Sequence, residues 1–412
     1  MTVPTPDFLR SFARIGLLSF GGPAAQISLM HEELVERHKW LSEEQFLGAL
    51  SFCMLLPGPE AMQLAAYSGW RLRGVAGGLI AGLFFVLPGA AVIALLAALY
   101  VTYGDLPLVI AGFAGIKAAV VVIVFQALAK VAGKALHGAL GWTLAIAAFV
   151  AIYVLGLPFP LIIATAGLAG LFNSTTATAT APPISVSPLQ TLRTALTWAA
   201  LWAAPIVLVM ALGAEFLTDV ALYFSQLAVL TFGGAYAVLA WMTQTVVETY
   251  GWITTPEMID ALGLAETTPG PLILVTEFVA LLAGFHQGGW GLALLAGLMA
   301  LWVTFVPCFL WIFVGAPYVD YLLAQPRLTG ALRAITAAVV GVIANLTLWF
   351  ALHVLFSAHN LGRFGLWPEF ASFNPTAGVL TLLAAFLGLG LRLGMLQMLA
   401  MMTVAGLATT LI

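Results

Sequence analysis

Hydrophobic positions in this chain fall in unbroken runs rather than in the stripes that mark one face of a soluble helix. Residues 79–99, 109–128, 194–212, 292–314 and 332–352 are almost wholly apolar. Each approaches the ~20 residues that carry a helix across a bilayer. Other apolar segments stop short at paired helix breakers, Gly21-Gly22-Pro23 and Pro57-Gly58-Pro59 among them. The pattern predicts an all-α polytopic membrane protein, with about 9–11 spans plus re-entrant segments broken at these motifs.

The breakers occur twice. LSFGGP at 18–23 is answered by LTFGGA at 230–235, and LLPGP at 55–59 by TTPGP at 267–271. Phe20 and Phe232, Trp40 and Trp252, and Pro57 and Pro269 are all 212 residues apart. Further on, Pro88 and Pro307, Pro107 and Pro326, and IKAAVV at 116–121 and ITAAVV at 335–340 are 219 apart. The register therefore shifts by seven residues between the two groups. This reads as an internal duplication: a first repeat over 1–172, a Thr/Ala/Ser/Pro-rich linker at 173–193, an extra connecting helix at 194–213, and a second repeat over 214–412.

Charge bears on orientation. Loops on the inner side of a membrane concentrate Lys and Arg. In the first half Arg37 and Lys39, Arg71 and Arg73, and Lys130 and Lys134 suit one side, while the loop at 103–107 holds Asp105 and no cation. In the second half the counterpart loops at 248–252 and 284–291 lack Lys and Arg, whereas Arg327 and Arg392 stand where the first half has none. The swap, with one extra span between the halves, favours inverted repeats; parallel repeats stay open.

The composition agrees with membrane residence and narrows the chemistry. Of 412 residues 62% are hydrophobic and 8% charged, with mean hydropathy +1.07, against about 25% charged in soluble domains. A net charge of −3 without a basic cluster gives no reason to expect a nucleic-acid partner. Cys53 and Cys308 both lie in apolar segments, so no disulfide framework is expected. No cleavable leader is visible before the two arginines Arg10 and Arg14, which are either surface anchors or substrate contacts. The six histidines form no HExxH and no i,i+4 pair, and there is no GxxxxGK[ST] loop. Metal, haem and nucleotide chemistry therefore lack their motifs, and neither cofactor nor metal is expected.

A glycine/proline break inside a membrane frees backbone groups that hydrocarbon cannot satisfy, so it persists only where protein, water or ligand supplies partners. Proline is well tolerated in a first helical turn. Pro23, Pro59 and Pro271 thus predict helices over 24–35, 60–69 and 272–283. Helix starts carry free N–H groups and a partial positive charge, a natural seat for an anion. With two starts per repeat, up to four would converge on a pseudo-two-fold axis. The plainer alternative is that Gly and Pro are simply common in membrane helices; repetition at fixed spacing weighs against it.

Candidate substrate-binding residues are accordingly the backbone of Gly21, Gly22, Pro57, Gly58, Gly233, Gly234 and Gly270, with the side chains of Ser19, Gln63, Thr231, Thr267 and Thr268 as donors. For each hydroxyl alone, bonding back onto its own helix is the commoner role. Lys117, inside the apolar run 109–128, is a candidate cation, or else a lysine snorkelling from the membrane boundary. Glu60 suits the positive end of its helix. Glu60, Glu266 or Glu277 could alternatively carry a proton during transport.

These motifs resemble the chromate ion transporter family in its long, two-domain form. The resemblance rests on IGLLSFGGPAA at 15–25, KWL at 39–41, FCMLLPGPEAMQLA at 52–65, VLPGA at 86–90, TFGGAYAVL at 231–239, YGW at 250–252 and AETTPGPLI at 265–273. It implies a multi-pass inner-membrane protein that exports chromate, a sulfate-like dianion, and so confers chromate resistance, with its two halves oppositely oriented. One departure is Ala240-Trp241, where a proline is expected. Outward movement of a dianion from an inside-negative cell gains roughly 4.6 kcal/mol per 100 mV, so export could run without ion coupling, with exchange for sulfate or a proton left open. The alternatives are a carrier of sulfate or another oxyanion that tolerates chromate, and a membrane-embedded chromate reductase, which the missing cofactor motifs disfavour. The expected partners are the oxyanion and the lipid bilayer, with a homodimer open as its assembly.

Overall fold

The computed structural model describes residues 3–173, 187–232, 234–362 and 365–411. Most of the expected linker, 174–186, and the candidate Gly233 lie outside these residues. The described chain is helical apart from one antiparallel hairpin, His359–Gly362 with Gly365–Pro368, which the hydropathy pattern does not anticipate.

The elements of the first half run α1 (Thr5–Leu18), α2 (Gly22–His31), α3 (Glu43–Cys53), α4 (Glu60–Tyr103), α5 (Pro107–Ala135), α6 (Gly138–Tyr153) and α7 (Phe159–Phe172). After α8 (Pro188–Ala211) come α9 (Glu215–Leu230), α10 (Ala235–Gln244), α11 (Thr255–Thr267), α12 (Val275–Gly315), α13 (Val319–Leu323), α14 (Pro326–Leu355), α15 (Pro375–Ala385) and α16 (Met395–Ala408). Among the described residues five helical stretches are long and apolar enough to cross a membrane: Glu60–Tyr103, Pro107–Ala135, Pro188–Ala211, Leu272–Leu323 and Pro326–Leu355. Several apolar helices are shorter, α6, α7 and α16 among them. This is a multi-pass, all-α membrane architecture.

Local devices recur at the 212-residue offset. Helix α2 ends in a π-helical turn over Glu32–Arg37 instead of running as α-helix to residue 35, and α10 ends in one over Thr245–Thr249. Just beyond, His38 stacks on Trp40 and Tyr250 on Trp252. Ser42 accepts from the N–H of Gln45 and so caps α3. Thr254 stands likewise before α11 and takes the N–H of Glu257, whose carboxylate accepts the Thr254 N–H at 2.7 Å. Such reciprocal caps fix helix starts because they satisfy donors that the first turn leaves unpaired.

Helices α4 and α12 each contain a reversal. Gly74 (φ 64°, ψ −158°) and Gly289 (φ 72°, ψ −165°) take left-handed backbone that an L side chain rarely adopts. Beyond Gly74 the chain doubles back, since a Cβ on Gly69 would run into the carbonyl of Gly77 and the methyl of Ala81. In α12, Gly284 lies against Ala293, and Gly297 against Leu281. The offset between halves is 212 at Gly58/Gly270, 215 at Gly74/Gly289 and 219 at Pro88/Pro307. The seven extra residues are thus divided between the two arms of the second hairpin. Each arm is longer by about one helical turn of 3.6 residues, so side chains keep their faces.

The chain divides into two compact units that cut across its halves. The first comprises Met1–Ala97, Thr175–Ala235 and Thr268–Thr329; the second comprises Ala98–Ser174, Tyr236–Thr267 and Gly330–Ile412. In the first, α12 packs on α8 and α9. In the second, α5 packs on α11, α15 and α16, around a core of Ala118, Ala119, Val122, Leu380, Met398 and Met402. Helices α5 and α16 meet backbone to backbone, because Gly115 faces the carbonyl of Met402 and Gly406 that of Ala111. Small residues at such crossings let membrane helices approach closely.

Candidate functional site

In the first unit the breaker loops are joined crosswise. The N–H of Gly58, in the first Pro-Gly-Pro loop, donates to the carbonyl of Thr231 at 2.8 Å. The N–H of Gly270, in the second, donates to the carbonyl of Ser19 at 2.9 Å. Donor pairs with donor, and acceptor with acceptor, at the 212-residue offset, so each loop is tied to the break of the other half. A second exchange lies beneath them. A Cβ on Gly58 would stand 2.9 Å from Sγ of Cys308, while one on Gly89 would strike the carbonyl of Pro269. Gly89 and Cys308 are themselves 219 residues apart.

This geometry answers where the freed backbone groups find partners. Gly58 (φ 120°) and Gly270 (φ 88°) hold a left-handed backbone that aims their N–H groups at the opposing breaks. Those two donors are consequently occupied within the protein. The α4 N–H groups of Ala61 and Met62, in the first turn after Pro59, have no intrahelical acceptor. In α2 the same holds for Ala24, behind Gly21 (φ 87°), Gly22 (φ 77°) and Pro23. Pro271 leads first into a short 3-10 turn, Leu272–Leu274, and only then into α12. Three of the four expected helix starts therefore belong to the first unit, with the positive ends of their dipoles at the loops.

Side chains reinforce the loops asymmetrically. Gln26 is buried, and its amide donates both to the carbonyl of Gly270 at 2.7 Å and to that of Ser19 at 3.1 Å. Gln63, fully buried, donates to the carbonyl of Pro57 at 2.7 Å. Their counterparts 212 residues on are Val238 and Val275, so the two seats differ chemically. The hydroxyls behave otherwise than a donor reading expects. Ser19 donates to the carbonyl of Ile15, Thr231 to that of Leu227 and Thr267 to that of Leu264. A hydroxyl has one proton, and in each case the helix takes it. Thr268 is buried beside Pro269, Glu60 opens α4 half-buried, and Gly234 (φ 105°) precedes α10.

Other residues singled out in the sequence fall elsewhere. Arg14 pairs with an acid: its Nε meets Oε1 of buried Glu33 at 2.9 Å, and Arg37 reaches the same oxygen at 3.0 Å. Glu277 is buried in the first turn of α12, with no partner for Oε2 among the described residues. Glu266 and Lys117 belong to the second unit. Glu266 accepts a hydrogen bond from Tyr236 at 2.6 Å. Lys117 is ion-paired: its Nζ lies 3.2 Å from Oδ2 of Asp260, which also accepts from the Tyr100 hydroxyl at 2.9 Å. Where a proline is expected, Trp241 continues α10 without a break and stacks on Phe159.

Gln26, Tyr100, Tyr236, Asp260 and Cys308 are absent from the sequence-based candidates. Asp260 was the most accessible of them, being a carboxylate inside the apolar stretch 258–265. Gln26 carries no signal beyond its polarity.

Comparison with known proteins gives a consistent picture. The family model described as "Chromate transporter" matches residues 6–171 and 218–410. The chain is 30% identical to the chromate transport protein of Pseudomonas aeruginosa, over 83% of this chain and 80% of that one. It is also 30% identical to a probable chromate transport protein of Synechococcus elongatus, over 81% of each. With the chromate transport protein of Cupriavidus metallidurans it shares 28% identity, over 81% of this chain and 79% of the other. No solved structure matches the chain.

Proposed function

The chain belongs to the chromate transporter family, and on that premise we propose that it moves chromate outward across the inner membrane and thereby confers chromate resistance. It works as a secondary transporter and leaves the oxyanion chemically unchanged. The observation that carries this reading is the crosswise tie between Gly58 and Thr231 and between Gly270 and Ser19. It holds two loops and three helix starts rigidly inside an apolar protein.

A dianion recognised there meets backbone N–H groups and helix dipoles, each contributing about 0.3–2 kcal/mol. Such a seat binds without a permanent excess of cations, so the anion can also leave. We read the two halves as inverted repeats, each presenting one loop to the other; residues 1–172 and 214–412 are the repeats, and α8 supplies the odd span that inverts the second. Sulfate shares the charge and the tetrahedral shape and is the natural competitor.

Inverted membrane vesicles test this reading. With the protein present and the lumen positive, they should accumulate radiolabelled chromate faster than vesicles without it, and sulfate should compete. Uptake confined to right-side-out vesicles would overturn the outward direction. No uptake in either orientation would overturn chromate as the cargo.

A further inference from the structure

Lys117 lies ten residues into α5, about 15 Å along the helix from its start. It lines a cleft of about 190 Å³ together with Thr255, Pro256, His353, Asn374 and Thr376. Among the described residues no carboxylate lines that cleft. Two helix starts do, those of α11 at Thr255 and of α15, where Asn374 caps the N–H of Ala377 at 3.0 Å. Nδ1 of His353 is bonded to the carbonyl of Trp349 at 2.8 Å, which leaves Nε2 as the other polar atom of that ring. The Lys117 ammonium has three donors and a side chain 25% exposed, with Asp260 as its ion-pair partner. The space exceeds that of several waters at about 30 Å³ each.

Behind the lysine, Asp260 has a side chain only 5% exposed. Oδ2 accepts from Lys117 and Tyr100, whereas Oδ1 is buried without a partner among the described residues. A buried carboxylate of this kind is tolerated because Lys117 neutralises it.

From this arrangement we infer a second ligand site, in which the cleft binds a tetrahedral oxyanion through Lys117 while Asp260 takes up one proton. The inference rests on the oxyanion reading above, and the residues are different from those of the crossed loops. An anion in the cleft competes with Asp260 for the Lys117 ammonium. Once Lys117 turns to the anion, Asp260 keeps only the neutral Tyr100 hydroxyl. A proton from solvent then converts the carboxylate to the acid, with Oδ1 as the open position. Lysine remains an ammonium throughout. Without the proton a dianion would change the net charge of the site from zero to −2; with it the change is to −1. Among the described residues the cleft lining holds one other titratable group, His353. Glu257 on α11 and Asp105 beside Tyr100 are acidic, and the described residues of α15 and α16, which pack on α5, include no ionisable group.

The test is calorimetric titration of the purified full-length protein with sulfate, in two buffers of different ionisation enthalpy at one pH. Wild-type protein should take up about one proton per sulfate bound in the cleft. Asp260→Asn should bind sulfate at least as tightly but lose that uptake. Lys117→Met should weaken binding by about tenfold or more, and Lys117→Arg should restore most of it. Unaltered proton uptake in Asp260→Asn, or unaltered sulfate affinity in Lys117→Met, would overturn the inference. Vesicle uptake of chromate separates this from the transporter reading. If wild-type protein transports chromate while the Lys117→Met affinity is unaltered, only the cleft fails; if it neither binds sulfate nor transports chromate, the transporter reading fails as well.

Discussion

Gly270 donates its backbone N–H to the carbonyl oxygen of Ser19 at 2.9 Å, across 251 positions of sequence. The bond closes the second Pro-Gly-Pro loop onto the first half of the chain, and Gly58 and Thr231 close the first loop onto the second half. Neither half completes its own break. The backbone ties that close the loops thus form only when both halves are folded together.

The glycines of the loops should be ranked by what surrounds them. Gly58→Ala places a methyl 2.8 Å from Nε2 of Gln63 and 2.9 Å from Sγ of Cys308, at φ 120°. Gly22→Ala meets nothing within 4 Å, at φ 77°. The second change should cost about 1–2 kcal/mol of backbone strain. The first should cost more and reduce chromate transport. Thermal unfolding in detergent, with vesicle uptake, measures both, and equal effects would count against the tight loop geometry.

Gln26 bridges two carbonyls from opposite halves. Gln26→Leu removes its donor and leaves the oxygen of Gly270 without that bond, at a cost of about 1–3 kcal/mol. Transport should fall while membrane insertion stays normal. Wild-type uptake in a normally inserted Gln26→Leu protein would show that the bridge is dispensable.

Separating Lys117 from Asp260 should destabilise far more than deleting both. Lys117→Met strands a buried carboxylate, at about 3–5 kcal/mol. Adding Asp260→Leu removes the stranded charge and should recover most of that loss. Thermal unfolding of the two single variants and the double variant completes the cycle; additive losses would mean the ion pair is not coupled.

Tyr236→Phe deletes the donor to Glu266, a bond of 2.6 Å between the half-buried tyrosine and a buried carboxylate. Stability should drop by about 1–3 kcal/mol. Unchanged unfolding would indicate that water replaces the hydroxyl.

Much of this was written in the chain. Runs of apolar residues specify helices whatever their neighbours, because a bilayer requires backbone groups to bond within the segment. Breaks at Gly21, Pro57 and Pro269 follow from local backbone chemistry. Candidate residues were harder. Whether a serine or threonine donates to a ligand or to its own helix is decided by local back-bonding, as at Ser19 and Thr231. Lys117 and Glu266 could not be divided from the loop residues by sequence, because unit membership depends on contacts between distant segments.

By itself, then, the sequence determined the helices, their breaks, the recurrence of those motifs and the chromate transporter family. Tertiary structure alone decided which break closes which loop, that Gln26 and Cys308 support them, and that Lys117 faces Asp260. The physical reason is range. Helix formation and helix breaking depend on residues within about one turn. The partners of Gly58, Gly270 and Lys117 lie more than a hundred positions away, and no periodicity in the chain encodes them.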